Sequence, residues 1–444
     1  MAKIHPFRGV LYNREKISDP EAVMTPPYDV ISPEAQERFY QRHPLSMIRL
    51  DLGKETSQDQ PGDNRYTRAA ETFQAWLSDG ILQQDADPAC YVYRIRYTVP
   101  GSSEKKEIRG FIAALELEEF GSGTVIPHEY TLSGPKTDRL NLLRACEANF
   151  SLIFSLLPPG GDSLVRPLAE EVRGMAPRFD VRDGEGAEHT LWAVTRPEIL
   201  EKIRKGMEGK AVYIADGHHR YETSVNYRNE RRAQAGTFTG EEGYNRVMMF
   251  FTEIEEGLTI FPTHRLVYNL SEGQLRNFFQ QMWNDFEVTA YPFTEKNEIE
   301  VRERLLRDLR EKGTSGPAFG LLAKGLPEYR LLVLKDKSLP DREGPEGYSS
   351  AWKRLDVSVL QVFVLEKLLG LRMEAMKKQE NLHYVRGEVE AIREFKEGKY
   401  QLAFLLNPTR MEEIIEVAGA GDRMPQKSTY FYPKLLTGLV INKV

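Results

Sequence analysis

Cysteine is nearly missing from this chain: only Cys90 and Cys146 occur among 444 residues. That excludes a disulfide framework and a cysteine-built zinc cluster, and neither residue stands in a recognisable nucleophile context. Positive charge is not in excess either. A formal net charge of −6 lacks the basic surplus of a general nucleic-acid binder. No apolar run approaches the roughly 20 residues that span a bilayer. The N-terminus, MAKIHPFRGV, has no apolar stretch of the signal-peptide kind. Together these absences lead us to expect a cytoplasmic protein with neither membrane nor nucleic acid among its partners. The glycine fingerprints of dinucleotide folds (G-x-G-x-x-G) and of hydrolase elbows (G-x-S-x-G) are missing too. Near the C-terminus, Gly421 and Lys427-Ser428 have P-loop separation. Gln426 occupies the required glycine position, however, and Tyr430, Phe431, Tyr432 and Pro433 oppose the helix that must follow.

What the chain does have is globular in character, with 41% hydrophobic and 28% charged residues and enough length for about two or three domains. Strand and helix patterns alternate from end to end, which predicts a mixed α/β (α+β) protein. Tyr91, Tyr93, Ile95, Tyr97 and Val99 share one face of a strand, and the turn PGSSEKK joins it to IRGFIAALEL as a hairpin. A second hairpin is predicted from FDV and TLWAV, and a helix over 65–80 ending at Gly80. The pattern divides into an α/β core with a mixed sheet over 1–270, a small βαββ-type subdomain over 271–340, and a C-terminal segment, 341–444, that completes the core. In that last segment Val357, Leu360, Val364, Leu368 and Leu371 repeat at helical spacing, and Asp356 is placed to cap the helix.

The most informative stretch is AVYIADGHHRYETSVNYR, residues 211–228. An apolar β-prone run leads into Asp216-Gly217, then His218, His219 and Arg220 open a helix. Such a junction gathers backbone N–H groups and the positive end of the helix dipole at one spot. Two imidazoles and a guanidinium there make a candidate anion site, phosphate first. A second cluster lies in IPHEYTLSGPKTDRLNLL (126–143), where His128, Glu129, Lys136, Asp138 and Arg139 fall close together. Glu129 is placed to act as a general base, with Asp216 as the alternative, and Lys136 or Arg139 to hold phosphate oxygens. A third is Lys427, Ser428, Thr429 and Lys434 beside three aromatic rings. Adjacent His218 and His219 diverge on any regular element, so they make awkward paired metal ligands, although one of them with Asp216 or Glu222 has suitable donors. Asp29, after Pro26-Pro27-Tyr28, and His264-Arg265 are weaker signals, and both fit structural roles.

TPPYDVIS (25–32), IPHEYTLSGPKTDRL (126–140), ADGHHRYET (215–223), FLLNPT (404–409) and MPQKSTYFYPK (424–434) occur in this order. Together they resemble DUF1015, a bacterial and archaeal family without a settled activity. Gly217-His218-His219-Arg220-Tyr221-Glu222 is similar, over a short span, to the Gly-x-His-Arg phosphate-binding segment of sulfiredoxin and of the ParB nucleotide-binding fold, a superfamily that includes free-serine kinases. By position this resemblance implies His219 and Arg220 as phosphate ligands. It puts His218 where sulfiredoxin has its reactive cysteine, which speaks against peroxiredoxin repair.

The expectation is a nucleotide-binding enzyme that moves a phosphoryl group to or from a small hydroxylated metabolite, a serine-like acceptor being suggested only by the superfamily. Glu129, Asp216 and His218 are the candidate catalytic residues. Gly217, His219, Arg220, Lys136, Arg139, Lys427, Ser428 and Thr429 are the candidate phosphate ligands, with Mg²⁺ accompanying ATP or ADP. The alternatives are a metal-dependent hydrolase using His128, Glu129, Asp216 and His218, and a non-catalytic nucleotide-binding regulator. Arg220→Ala is expected to abolish binding and leave the fold intact.

Overall fold

In the computed structural model, residues 2–131, 133–254, 257–377 and 380–444 are described. They form two compact units. The first comprises Met1–Pro127, Thr131–Thr259 and Pro433–Val444, and the second His128–Tyr130 and Ile260–Tyr432.

The first unit is built on a nine-stranded sheet: β1 (Ile4–His5), β2 (Cys90–Thr98), β3 (Lys105–Glu116), β4 (Val125–Pro127), β5 (Ile153–Leu157), β6 (Phe179–Arg182), β7 (Glu188–Val194), β8 (Val212–Asp216) and β9 (Arg246–Glu253). Their order is β4-β8-β5-β9-β3-β2-β7-β6, with β1 paired to β3. The β4–β8 and β5–β9 pairs are parallel and the remaining pairs antiparallel, so the sheet is mixed, as expected. Both predicted hairpins form, with Tyr93 opposite Gly110 in one and Leu191 opposite Phe179 in the other. The alternation read along β2 holds in its second half: Ile95 and Tyr97 are buried, Arg96 is exposed. The first half is buried on both faces, since Tyr91, Val92 and Tyr93 are all inside. One core layer gathers Phe111, Ile153, Ile203, Met207, Ile214, Tyr221 and Phe251. The chain's last residues join this unit, where Ile441 bridges to Val10 and Asn442 pairs with Asn149.

The second unit has a six-stranded, wholly antiparallel sheet. Its strands are β10 (Thr263–Val267), β11 (Phe286–Pro292), β12 (Ala318–Ala323), β13 (Glu328–Leu334), β14 (Leu382–Arg386) and β15 (Leu402–Leu406), in the order β11-β13-β12-β15-β10-β14. The segment expected as a separate subdomain, 271–340, therefore supplies three of the six strands, and long-range pairing completes the sheet. Its helices are Glu272–Asp285, under a capping box from Ser271, and Glu298–Gly313.

One local expectation is corrected. Asp356 does not cap a helix: it is the first residue of a single turn, Asp356–Val359, and no side chain caps that turn. From Leu360 to Leu368 the backbone then widens to a π-helix. The amide of Leu369 donates to the carbonyl of Val364 at 2.9 Å, five residues back. Apolar spacing alone does not distinguish this from an α-helix, because both bury a broad stripe.

Close packing between neighbouring strands yields a direct prediction. A Cβ on Gly110 would lie 2.2 Å from the Phe251 carbonyl oxygen and 2.5 Å from the Phe250 ring. Gly110→Ala is expected to cost about 1–3 kcal/mol, as overpacked sites do. Urea unfolding measures this, and a variant as stable as the parent would contradict the packing.

Candidate functional site

In the first unit the DGHHR segment forms the strand-to-helix junction read from the sequence. Strand β8 ends at Asp216 and helix α1 (His218–Ala235) starts at His218. The pairing of β8 with β5 shifts register between Ile214 and Asp216, an irregularity that re-aims the strand's last side chain. Gly217 sits between them at φ 94°, a left-handed conformation that disfavours a side chain. A Cβ there would also lie 3.0 Å from Arg220 Nε. As the N-cap residue, Gly217 has no side chain with which to cap the helix.

Asp216 lies between two cations. Its Oδ2 accepts from Arg220 at 2.8 Å and its Oδ1 from Lys434 at 3.1 Å. Burial alone would push this carboxyl up. Lys434 and Arg220 outweigh that and hold it well below the ordinary carboxylate range. Asp216 thus stays ionised. Arg220 is 8% exposed and also donates to the Leu152 carbonyl, which ties the helix start to the chain entering β5. Its Nε is buried, has no hydrogen-bond partner among the described residues, and lies against Gly217.

One helical turn further on, Glu222 accepts from Thr131 at 2.7 Å and pairs with Lys136 at 3.0 Å. Residues from the first two motifs therefore meet in this unit, and Lys434 brings in the third. Arg139 lies deeper. It bonds Asp51 at 2.9 Å and Asp138 at 2.6 Å, with its guanidinium 3.9 Å from the Tyr28 ring centroid. The Pro-Pro-Tyr-Asp turn thus contributes Tyr28 to this network, where the sequence had singled out Asp29.

The second unit holds the remaining candidates. His128 Nε2 lies 2.9 Å from Thr429 Oγ1, and the His128 carbonyl accepts from Met424 N–H at 2.7 Å. Glu129 accepts from the Lys427 backbone N–H. Lys427 itself adopts φ 57°, uncommon for a residue with a side chain. Ser428 is buried, its hydroxyl bonded to the Pro425 carbonyl and its own carbonyl to Thr409. Ser428 and the Glu129 carboxylate therefore shape the turn that presents Lys427. Beside it, His264 is buried, accepts from the Leu406 N–H at 3.1 Å, and is pushed down to about 3 by burial and by Arg265.

Asp216, Gly217, His218, His219, Arg220, Lys136 and Arg139 thus belong to the first unit, and Glu129, Lys427, Ser428 and Thr429 to the second. Two expectations change. Arg220 and Arg139 are buried and committed to carboxylates, so Arg220→Ala cannot leave the fold untouched. Among the described residues no three His, Cys, Asp or Glu side chains are grouped to hold a metal ion, which leaves the hydrolase alternative without a ligand set there. Nor is any helix of the described residues long and apolar enough to cross a membrane. Sequence reading passed over Asp51 and took Asp356 only for a helix cap. Asp51 lies in an unremarkable helical turn. The Asp356 carboxyl is pushed up to about 8 by burial and by Glu413, a neighbour 57 positions away that no local pattern reveals.

These features define a two-unit mixed α/β protein with a glycine-hinged strand–helix junction around a paired aspartate. The chain belongs to the DUF1015 family, described as a protein of unknown function, whose signature matches residues 4–358. No curated protein matches it. Among solved structures it is similar to a free serine kinase variant in complex with ADP, at 12% identity and a TM-score of 0.34, over 69% of this chain and 84% of that one. It is also similar to a conserved hypothetical protein from Pyrococcus furiosus, at 13% identity and a TM-score of 0.32, over 69% and 87%. A third is SbnI with C-terminal truncation from Staphylococcus aureus, at 10% identity and a TM-score of 0.33, over 71% and 82%. Likeness at this level leaves the ligand of this chain open.

Two predictions follow from the geometry. Asp216→Ala leaves Arg220 buried without its carboxylate and is expected to cost about 3–5 kcal/mol in urea unfolding. Lys434→Met, which keeps the Asp216–Arg220 pair, is expected to cost less, and the reverse ranking would contradict the assignment. The second concerns pH. His264 ionises near 6.5 when unfolded and only near 3 when folded, so its contribution is complete above 6.5 and is lost as pH falls from 6.5 toward about 3. Over that window each pH unit removes up to about 1.4 kcal/mol. His264→Asn keeps an acceptor for Leu406 and removes the titration. Its stability is expected to fall less steeply with acid than that of the parent, and parallel profiles would contradict a buried neutral imidazole.

Proposed function

We propose that the junction in the first unit binds the phosphates of a nucleotide and that the protein transfers a phosphoryl group between that nucleotide and a small hydroxylated metabolite. The observation that carries this reading is Arg220 Nε, buried, without a hydrogen-bond partner among the described residues and lying against Gly217 at the start of an 18-residue helix. A phosphate there meets backbone N–H groups, the positive end of the helix dipole and the Arg220 cation beneath, at the one position where no Cβ intrudes. His219, half-buried beside it, and Lys136, partly exposed one turn on, are the further phosphate ligands.

The roles of the carboxylates follow from their surroundings. General bases work best with a pKa near the working pH. Asp216, held down by two cations, is poorly suited to accept a proton and instead fixes Arg220 and Lys434 in place. His218, close enough to Asp216 to act on its charge, is the base we assign. As the acceptor oxygen bonds to phosphorus and the bond to the nucleotide's leaving oxygen breaks, the hydroxyl proton passes to His218. Mg²⁺ accompanies the ATP or ADP and neutralises phosphate charge. Both oxygens of Asp216 are already engaged, so the phosphates hold that ion.

Thermal-shift titration with ATP, ADP, GTP and CTP, each with Mg²⁺, tests the reading. Saturating ligand at 100 times Kd is expected to stabilise the protein by about 2.7 kcal/mol, and His219→Ala and Lys136→Ala to weaken this without lowering the ligand-free Tm. Stabilisation unchanged in both variants would remove the junction from the site, and no shift with any nucleotide would remove the function. Binding without turnover across hydroxylated acceptors would favour the regulator over the enzyme.

A further inference from the structure

A cavity of about 330 Å³ lies within the second unit, at the lower end of the range for small-molecule sites. Its walls are mostly apolar and include Trp352, Leu360, Leu365, Met376 and Tyr384. Arg265 also lines it, and no residue of the phosphate-site proposal does. Arg265 is 4% exposed, and among the described residues no carboxylate lies within ion-pair distance of its guanidinium. Its hydrogen bonds go to two backbone carbonyls, that of Thr263 and, at 3.4 Å, that of Gln426. The guanidinium stacks 5.0 Å from the Tyr384 ring centroid. Buried cations are ordinarily paired, because desolvating a charge without a counterion is costly.

The cavity lining carries a second unusual feature. The π-helix Leu360–Leu368 contributes Leu360, Gln361, Leu365 and Glu366 to the lining. Wide turns of this kind are rare and recur at functional sites. Glu366 does not neutralise Arg265. Its carboxyl accepts from Gln361 at 3.0 Å, and burial pushes it up with no contribution from Arg265. Glu129 is the one carboxylate whose charge reaches Arg265, and it bonds the Lys427 backbone.

We propose that this cavity binds a small amphipathic organic anion, its carboxylate on Arg265 and its apolar or aromatic body against Trp352 and the π-helix. The anion supplies the charge that Arg265 lacks, in a bidentate geometry that guanidinium favours. The site is independent of the phosphate-binding junction, and its occupant is a different class of molecule.

The test uses the intact protein and a matched probe pair, 3-phenylpropionate and its neutral amide, titrated by calorimetry. Saturable binding of the carboxylate at least tenfold tighter than the amide is expected. Val362→Trp, which fills the cavity from a half-buried lining position, should abolish carboxylate binding and leave the nucleotide response unchanged. Arg265→Met should erase the preference between the two probes. If that variant fails to fold, the preference in the parent protein still decides. Equal affinities, no binding of either probe, or carboxylate binding that survives Val362→Trp would overturn the proposal. Inorganic phosphate serves as the counter-probe, and competition between it and the carboxylate in this cavity would equally overturn the assignment of an amphipathic ligand.

Discussion

The geometry of the first unit's junction rests on one carboxylate held between two cations. Asp216 ends a strand one in from the sheet edge, receives Arg220 from the following helix and Lys434 from the distant C-terminal segment, and fixes both. Arg220 in turn reaches the Leu152 carbonyl, so strand, helix and neighbouring loop are locked through a single side chain. The cost of burying these charges is offset because each oxygen of Asp216 has its own donor. That leaves one guanidinium nitrogen directed at Gly217, where the backbone turns left-handed and a side chain would collide.

The second unit follows a different rule. Its DUF1015 motif residues mostly bond to backbone: Glu129 to the Lys427 amide, Ser428 to the Pro425 carbonyl, His128 through its own carbonyl to Met424. Polar side chains spent on holding a turn do little chemistry themselves, and what they achieve is presentation. Arg265 also bonds to backbone carbonyls, yet it is a buried cation at the wall of an apolar cavity, stacked on Tyr384.

How much of this was legible depends on the range of the interaction involved. Local signals came through: the β2–β3 hairpin from its alternation, and the junction at Asp216-Gly217 from apolar run, glycine and cations in sequence. Contacts that depend on distant pairing did not. The 271–340 segment reads as self-contained because its own strands and helices are clear, yet three further strands complete its sheet. Arg139 and Arg220 look like free cations in a one-dimensional reading, since nothing near them announces Asp51 or Leu152 as buried partners. The π-helix escaped because its apolar stripe suits either winding. Tyr28 was within reach, since it stood beside Asp29, and an aromatic in a motif is as telling as a carboxylate; Arg265 was noted with His264 but read as structural.

Nucleotide phosphates at the Gly217 junction would cover the first-turn amides of the helix, which hydrogen exchange reads residue by residue. With and without Mg²⁺ and ATP, the account predicts slowed exchange at the amides of 217–222, where ligand oxygens take up the first-turn N–H groups. Exchange there unchanged at saturating nucleotide, with any protection elsewhere in the chain, would contradict it.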